Sequence, residues 1–160
     1  MATLTDDMRA IFPRAGVSYV ATLCADGSPN LSPKATVMPY DAEHLVFMNQ
    51  DSPGTFANLR RDPRVEINTV DPFARRGYRF KGWARIVPEG EPVFEWLKDR
   101  LLDIIGPGYP MLEAALVTVE QAAAVKSPAY GWGDASEQEL VLRYARRYIA
   151  AAGLTPDDLK

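Results

Sequence analysis

The chain has 160 residues, of which 47% are hydrophobic and 24% are charged, and its formal net charge at pH 7 is −3. This length and composition are typical of one globular domain, so we assign residues 1–160 to a single domain. The net negative charge argues against nucleic acid as a partner, because phosphate backbones select basic surfaces. Without a signal-peptide pattern or an apolar run of about 18 residues, the sequence predicts a cytoplasmic protein with no membrane partner.

The first elements predicted in chain order are a short helix and a β-hairpin. Thr5 is a suitable N-cap for the helix, and Pro13 is expected to follow its end. Residues 17–24 are rich in β-branched and aromatic side chains and predict a strand, which an Asp-Gly turn ends. In the next strand Pro29 and Pro33 cannot donate ladder hydrogen bonds, so an open or irregular edge is expected there.

The stretch from residue 29 to residue 63 carries the candidate site. It predicts two neighbouring strands, residues 29–38 and 44–49, and then a loop that opens into a helix over residues 54–61. The loop combines hydroxyl groups, a glycine and the free N–H groups of a helix start, which favour an anion such as phosphate. Lys34 can add a point charge to the same anion. A second interpretation stays open, since a Ser or Thr before a helix often serves only as its cap.

The second half of the chain continues with strands over residues 64–70 and 78–87, a helix over 92–105 and a strand over 113–119. A loop over residues 126–133 precedes a last helix, for which Ser136 and Glu139 have the spacing of a capping box. The total of six short strands with Gly and Pro turns predicts a mainly β protein, an antiparallel barrel with flanking helices.

Several kinds of chemistry lack the residues they need. One His, one Cys and no clustered ligand spacing argue against a metal site. His44 follows a turn and is expected to face solvent or to serve as a cap, and there is no phosphate-binding P-loop or dinucleotide fingerprint. The single Cys24 excludes an internal disulfide and suits a reducing compartment. A polar loop beside an irregular strand, without an evident nucleophile or base, is typical of a protein whose reactive group is a bound cofactor.

Three segments, PNLSPKATV, LVFMNQDSPGTFANLRRDPRVEI and GYRFKGWARIV, resemble the pyridoxamine 5'-phosphate oxidase-like flavoproteins of the FMN-binding split-barrel fold. The resemblance implies a six-stranded antiparallel split barrel, a homodimer and FMN in the groove between two barrels. The residues that it matches to the cofactor lie along one strand (Ser32, Lys34, Ala35, Thr36, Val37) and at the ring edge and phosphate (Asn49, Gln50, Ser52, Gly54, Thr55). It also implies an aromatic cover from the second subunit, for which Trp83, Tyr130 and Trp132 are candidates.

Two departures from the family pattern shape the functional hypothesis. Many members grip the phosphate with an Arg-Lys pair, where this chain has Pro53, Gly54 and Thr55. The substrate motif with its Arg and His is absent near residues 126–133, which argues against pyridoxamine 5'-phosphate as the substrate. The first hypothesis is an FMN-dependent oxidoreductase that acts on a small molecule through flavin N5. The alternatives are a deazaflavin- or haem-handling relative, a non-catalytic flavin-binding or electron-transfer protein, and a dimeric barrel without a cofactor.

Overall fold

The computed structural model describes residues 1–159. Its strands are β1 Ser18–Leu23, β2 Pro29–Lys34, β3 Met38–Pro39, β4 His44–Met48, β5 Arg64–Asp71, β6 Arg76–Pro88 and β7 Glu113–Lys126. Its α-helices are α1 Asp6–Ala15, α2 Pro53–Arg61, α3 Pro92–Ile105 and α4 Glu137–Ala151, and two short 3-10 helices cover Pro128–Tyr130 and Pro156–Leu159. Within the described residues, no helix is both long and apolar enough to cross a membrane.

The strands form one curled antiparallel sheet in the order β2-β1-β5-β6-β7-β4-β3. The predicted mainly β architecture with flanking helices is therefore confirmed, but the sheet has seven strands and not the six expected. The strand predicted over residues 29–38 is broken after Lys34: β2 pairs with β1, and β3 pairs with β4. At the break, the Thr36 hydroxyl accepts a hydrogen bond from the Met48 N–H at 3.1 Å, so a side chain replaces the ladder there.

The two largest remaining differences from the prediction are at the ends of β7 and α1, and the other strand boundaries and the start of α2 differ by at most two residues. Strand β7 continues to Lys126, although residues 120–125 lack apolar alternation, because β6 pairs with it along its full length through a bulge after Lys81. Helix α1 continues through Pro13 to Ala15. Pro13 costs that helix one backbone donor, but the neighbouring side chain of Phe12 is buried, so packing holds the last turn in place.

Strand β4 divides the hydrophobic core into two clusters. Its alternate residues Leu45 and Phe47 face the first cluster, inside the curled sheet, where the Phe47 and Phe56 rings meet at 5.7 Å. Val46 and Met48 face the second cluster, between the sheet and α3. Because β4 is buried on both faces, close packing holds this strand in place, and the loop that follows it begins at a fixed position.

A polar network attaches both terminal helices to the β5–β6 turn. Arg76 donates to both carboxylate oxygens of Asp7 at 3.0 Å and to Glu137 at 2.6 Å. Arg14 bridges Asp71 at 2.8 Å and Glu137 at 2.6 Å. The hydrogen bond from Arg76 lowers the pKa of Asp7, and the one from Arg14 lowers the pKa of Glu137. The network therefore holds the start of α4, and the loop before it, at this end of the barrel.

Candidate functional site

The candidate site lies where the loop between β4 and α2 meets strand β2. Asn49 extends the β4–β7 ladder by one step, since its N–H donates to the Glu113 carbonyl at 2.8 Å and its own carbonyl accepts from Leu112 at 3.1 Å. Helix α2 begins at Pro53, so the free part of the loop is only three residues long. Strand β2 lies at the other end of the strand order, and the curling of the sheet brings these two edges together.

Lys34 is the central side chain of the site and is only 6% exposed. Its ammonium donates to the Ser32 hydroxyl at 2.9 Å and to the Ser52 hydroxyl at 2.5 Å. Among the described residues, no carboxylate forms an ion pair with Lys34. Burial lowers the pKa of the Lys34 ammonium. A buried cation whose partners are neutral hydroxyls lacks compensation for its charge, so this position favours an anion.

The start of helix α2 adds unpaired backbone donors beside Lys34. Ser52 occupies the N-cap position, but its hydroxyl accepts from Lys34, and no side chain in the described part of the chain caps the helix. The first-turn N–H groups of Gly54 and Thr55 thus have no capping oxygen, and the helix dipole favours negative charge there. A Cβ atom built on Gly54 would meet no atom within 4 Å, so there is open space at the helix start. We call Ser32, Lys34, Ser52 and this first turn the Lys34 cluster.

The two amide side chains of the loop differ in their bonding. Both polar side-chain atoms of Asn49 have a partner within the chain: its Nδ2 donates to Glu113 Oε1 and its Oδ1 accepts from the Ser52 N–H, both at 3.0 Å. Gln50 Nε2, in contrast, is buried without a hydrogen-bond partner among the described residues. Leaving a buried donor unpaired costs about 1–3 kcal/mol. Gln50 is therefore a donor that a bound molecule with an acceptor atom would satisfy.

The other matched residues are placed differently from one another. Thr36 and Val37 are buried at the β2–β3 break, while Ala35 is exposed beside them. Thr55 is also buried, and its hydroxyl accepts a hydrogen bond from Asn30 Nδ2 at 3.4 Å, so that hydroxyl has a partner within the chain.

Trp132 lies just after the 3-10 helix Pro128–Tyr130. It is 94% exposed. Its segment is held at the β5–β6 turn, where the Tyr130 hydroxyl donates to the Ala74 carbonyl at 2.6 Å. The exposed Trp132 side chain is therefore available for contact with a ligand or with a second copy of the chain.

Two residues of the site were not found from the sequence. Asn30 joins Thr22 and Thr55 beneath the cluster. Its signal was present, because Asn30, Ser32 and Lys34 alternate along β2 and so share one face. Glu113 had no local signal, since its bond to Asn49 joins residues 64 positions apart.

The charged face of β6 is largely neutralised within the chain. Arg79 and Lys81 pair with Glu66 at 3.0 and 3.5 Å, and Arg85 pairs with Glu91 at 2.8 Å. These cations therefore have intramolecular partners and do not belong to the Lys34 cluster. Across residues 1–159, no three His, Cys, Asp or Glu side chains converge as a metal site would require.

The curled antiparallel sheet with flanking helices places the protein in the class of split barrels. Residues 4–126 match the family model described as pyridoxamine 5'-phosphate oxidase, and the chain belongs to this family. No curated protein sequence matches the chain.

Three solved structures illustrate the likeness. HupZ of Group A Streptococcus is 28% identical, over 77% of this chain and 94% of its own, with a TM-score of 0.68. An FMN-binding protein of Syntrophomonas wolfei is 13% identical, over 78% and 87% of the two chains, with a TM-score of 0.65. The haem storage protein HutZ of Vibrio cholerae is 17% identical, over 79% and 95%, with a TM-score of 0.62. The last two likenesses show the fold alone.

Proposed function

We propose that this protein binds FMN and uses it in redox chemistry on a small molecule. The observation that carries the proposal is the buried, uncompensated ammonium of Lys34 beside the uncapped start of α2. A phosphate monoester would satisfy both groups, because it brings negative charge to the cation and acceptor oxygens to the free N–H groups. This arrangement would take the place of the Arg-Lys pair that the family resemblance leads one to expect before the helix.

One further residue supports a site for the flavin end of the cofactor. The unpartnered Gln50 Nε2 is a donor for a carbonyl or ring nitrogen of the flavin. Bound FMN would supply hydride or electron transfer through N5. The chain's own contribution is to bind the phosphate through Lys34, to orient the ring edge through Gln50, and to hold the loop rigidly on the buried strand β4.

We extend the proposal to a homodimer that uses the outer face of the sheet. Tyr19, Leu31 and Trp83 are exposed there, and a groove of about 380 Å³ runs beside Trp83. Contiguous exposed apolar side chains among charges of both signs suit a self-complementary contact between two copies. In such a dimer, Trp132 of the second copy is our candidate for the aromatic cover of the flavin.

Sedimentation equilibrium tests the dimer. Wild-type protein should have twice the mass of the chain, and Leu31→Lys, which places a charge on the outer face, should shift it toward the monomer. Leu142→Lys, at a similarly exposed position on α4, is the matched control and should remain dimeric. A monomeric wild type, or a Leu31→Lys protein as dimeric as the control, would contradict this interface.

Haem is less well supported as the ligand of this site. The single histidine, His44, begins β4, and its Nδ1 lies 2.8 Å from Asp41 Oδ1. It is five residues from Asn49, about 16 Å along an extended strand. A haem iron at the Lys34 cluster would therefore have no histidine ligand from the same chain.

Absorption and fluorescence titrations test the proposed cofactor. Protein incubated with FMN and washed should retain the visible flavin bands and release FMN on denaturation. Riboflavin, which lacks the phosphate, should bind at least tenfold more weakly, because charged hydrogen bonds contribute about 1.5–3 kcal/mol. Failure to retain FMN, or equal affinity for riboflavin, would contradict the proposal; retention of deazaflavin or haem instead would replace the cofactor.

A further inference from the structure

A continuous chain of hydrogen bonds runs from the end of α2 to strand β2. Arg60 forms an ion pair with Glu113, and Glu113 Oε1 accepts from Asn49 Nδ2 at 3.0 Å. Asn49 Oδ1 accepts from the Ser52 N–H at 3.0 Å, and the Ser52 hydroxyl accepts from Lys34 at 2.5 Å. The chain of bonds joins α2, β7, β4 and β2 around the loop.

The chemistry of Glu113 fixes the direction of these bonds. An ionised carboxylate only accepts hydrogen bonds, so the side of the Asn49 amide that faces Glu113 must be its NH₂ group. The amide oxygen then has to point the other way, toward the Ser52 N–H. A neutral side chain without an acceptor at position 113 would leave the Asn49 amide free to turn over, and a turned amide would present a donor to the Ser52 N–H.

Arg60 keeps the negative charge of Glu113 compatible with an anion site. The Glu113 side chain is only 16% exposed, and Arg60 is its ion-pair partner. Without this partner, a partly buried carboxylate near the loop would repel an anion at the Lys34 cluster. Glu113 thus supplies the acceptor that orients the Asn49 amide, and Arg60 cancels the negative charge of Glu113.

We infer that Glu113 is a positioning residue for phosphate binding, because it sets the Asn49 amide and, through it, the loop that carries Ser52 to Lys34. The inference rests on the proposed FMN site. Nothing in the resemblance or in the sequence pattern assigned a role to Glu113. It acts through Asn49 and does not touch the ligand, so its effect is expected on the phosphate end of the cofactor.

Titration of FMN and riboflavin into Glu113 variants tests this role. Glu113→Ala should lose about tenfold in FMN affinity, the effect of losing one orienting hydrogen bond to a charged group. Its riboflavin affinity should fall by less than its FMN affinity, because riboflavin has no phosphate to lose contact with Lys34 and Ser52. Glu113→Gln retains an oxygen that can accept from Asn49 Nδ2, so it should restore FMN affinity to within about threefold of wild type. Glu89→Ala, an exposed acidic position, is the matched control.

The outcomes separate this inference from the proposed function. Wild-type protein that does not bind FMN would overturn the proposed function itself. Wild-type protein that binds FMN while Glu113→Ala binds it equally well would overturn the positioning role alone. Equal losses of FMN and riboflavin affinity in Glu113→Ala, together with a lower melting temperature, would show a general structural role and would also overturn it.

Discussion

Replacing Lys34 by Met should weaken FMN binding by at least tenfold and at the same time stabilise the cofactor-free protein. The two effects have one cause. The Lys34 ammonium is buried and has no carboxylate partner among residues 1–159, which costs free energy in the cofactor-free protein, a cost that an anion removes. Met has a similar shape without the charge, so the variant loses the charged hydrogen bonds and also loses the burial penalty.

The pKa of Lys34 adds a pH dependence to this expectation. Burial lowers the pKa below its usual value of 10.5. Lys34 is charged at pH values below the lowered pKa, so FMN affinity should be highest in that range. The affinity should fall as the pH rises through the pKa. The cofactor-free protein should show the opposite dependence. Its free energy of unfolding should increase as the pH rises from the lowered pKa toward the usual value, because the unfolded chain binds the proton more tightly. Both dependences should disappear in Lys34→Met.

Isothermal titration with FMN and riboflavin, together with thermal melting of the empty protein, checks this prediction. Lys126→Met removes an exposed lysine and serves as the control, with both quantities unchanged. A Lys34→Met protein that keeps wild-type FMN affinity would remove Lys34 from the phosphate site. One that melts at a lower temperature would show that the ammonium is satisfied in the empty protein.

Replacing Gly82 by Ala should prevent stable folding. Gly82 lies at the β-bulge where β6 bends against β7. A Cβ atom at this position would lie 2.0 Å from the Thr118 carbonyl oxygen and 3.3 Å from Val117 Cγ1. The first of these is a backbone atom of the paired strand, so it moves only if the ladder opens. We expect a loss of more than about 4 kcal/mol in the free energy of unfolding, at the upper end for single substitutions.

Soluble yield and urea denaturation measure the effect. Gly131→Ala is the matched control, because a Cβ atom there meets nothing within 4 Å and the backbone has a φ of −100°. The control should remain within about 0.5 kcal/mol of wild type. If Gly82→Ala unfolds at the same urea concentration as the control, β6 and β7 are not packed as closely as described.

The accuracy of the sequence-based predictions follows the range of the interactions involved. Helix α3 was predicted over residues 92–105 and occupies Pro92–Ile105, because Pro at its start and Gly106 at its end are local signals. The capping box of Ser136 and Glu139 is confirmed for the same reason. The extension of β7 was missed, since its last residues are extended through pairing with β6 and not through their own propensity.

The same contrast between local signals and long-range interactions applies to the candidate site. That Lys34 and the loop before α2 belong together was expected, and the structure brings Lys34 and Ser52 into contact. The prediction placed Lys34 and the loop together through neighbouring strands over residues 29–38 and 44–49. In the structure β2 pairs with β1 instead, and the curling of the sheet brings Lys34 to the loop. The roles proposed toward a flavin for all of the matched residues and for Trp132 remain predictions.

The sequence by itself determined the limits of α3, the capping box of α4, the hairpin turn after β1 and the polar face of β2, since each depends on residues within a few positions of one another. Only the tertiary structure decided how the polar groups of the site are shared. The Ser52 hydroxyl accepts from Lys34, 18 residues away, and does not cap its own helix. Glu113 orients Asn49 across 64 residues. A hydrogen-bonding group takes the partner that the fold places nearest, and the closure of the sheet sets that distance.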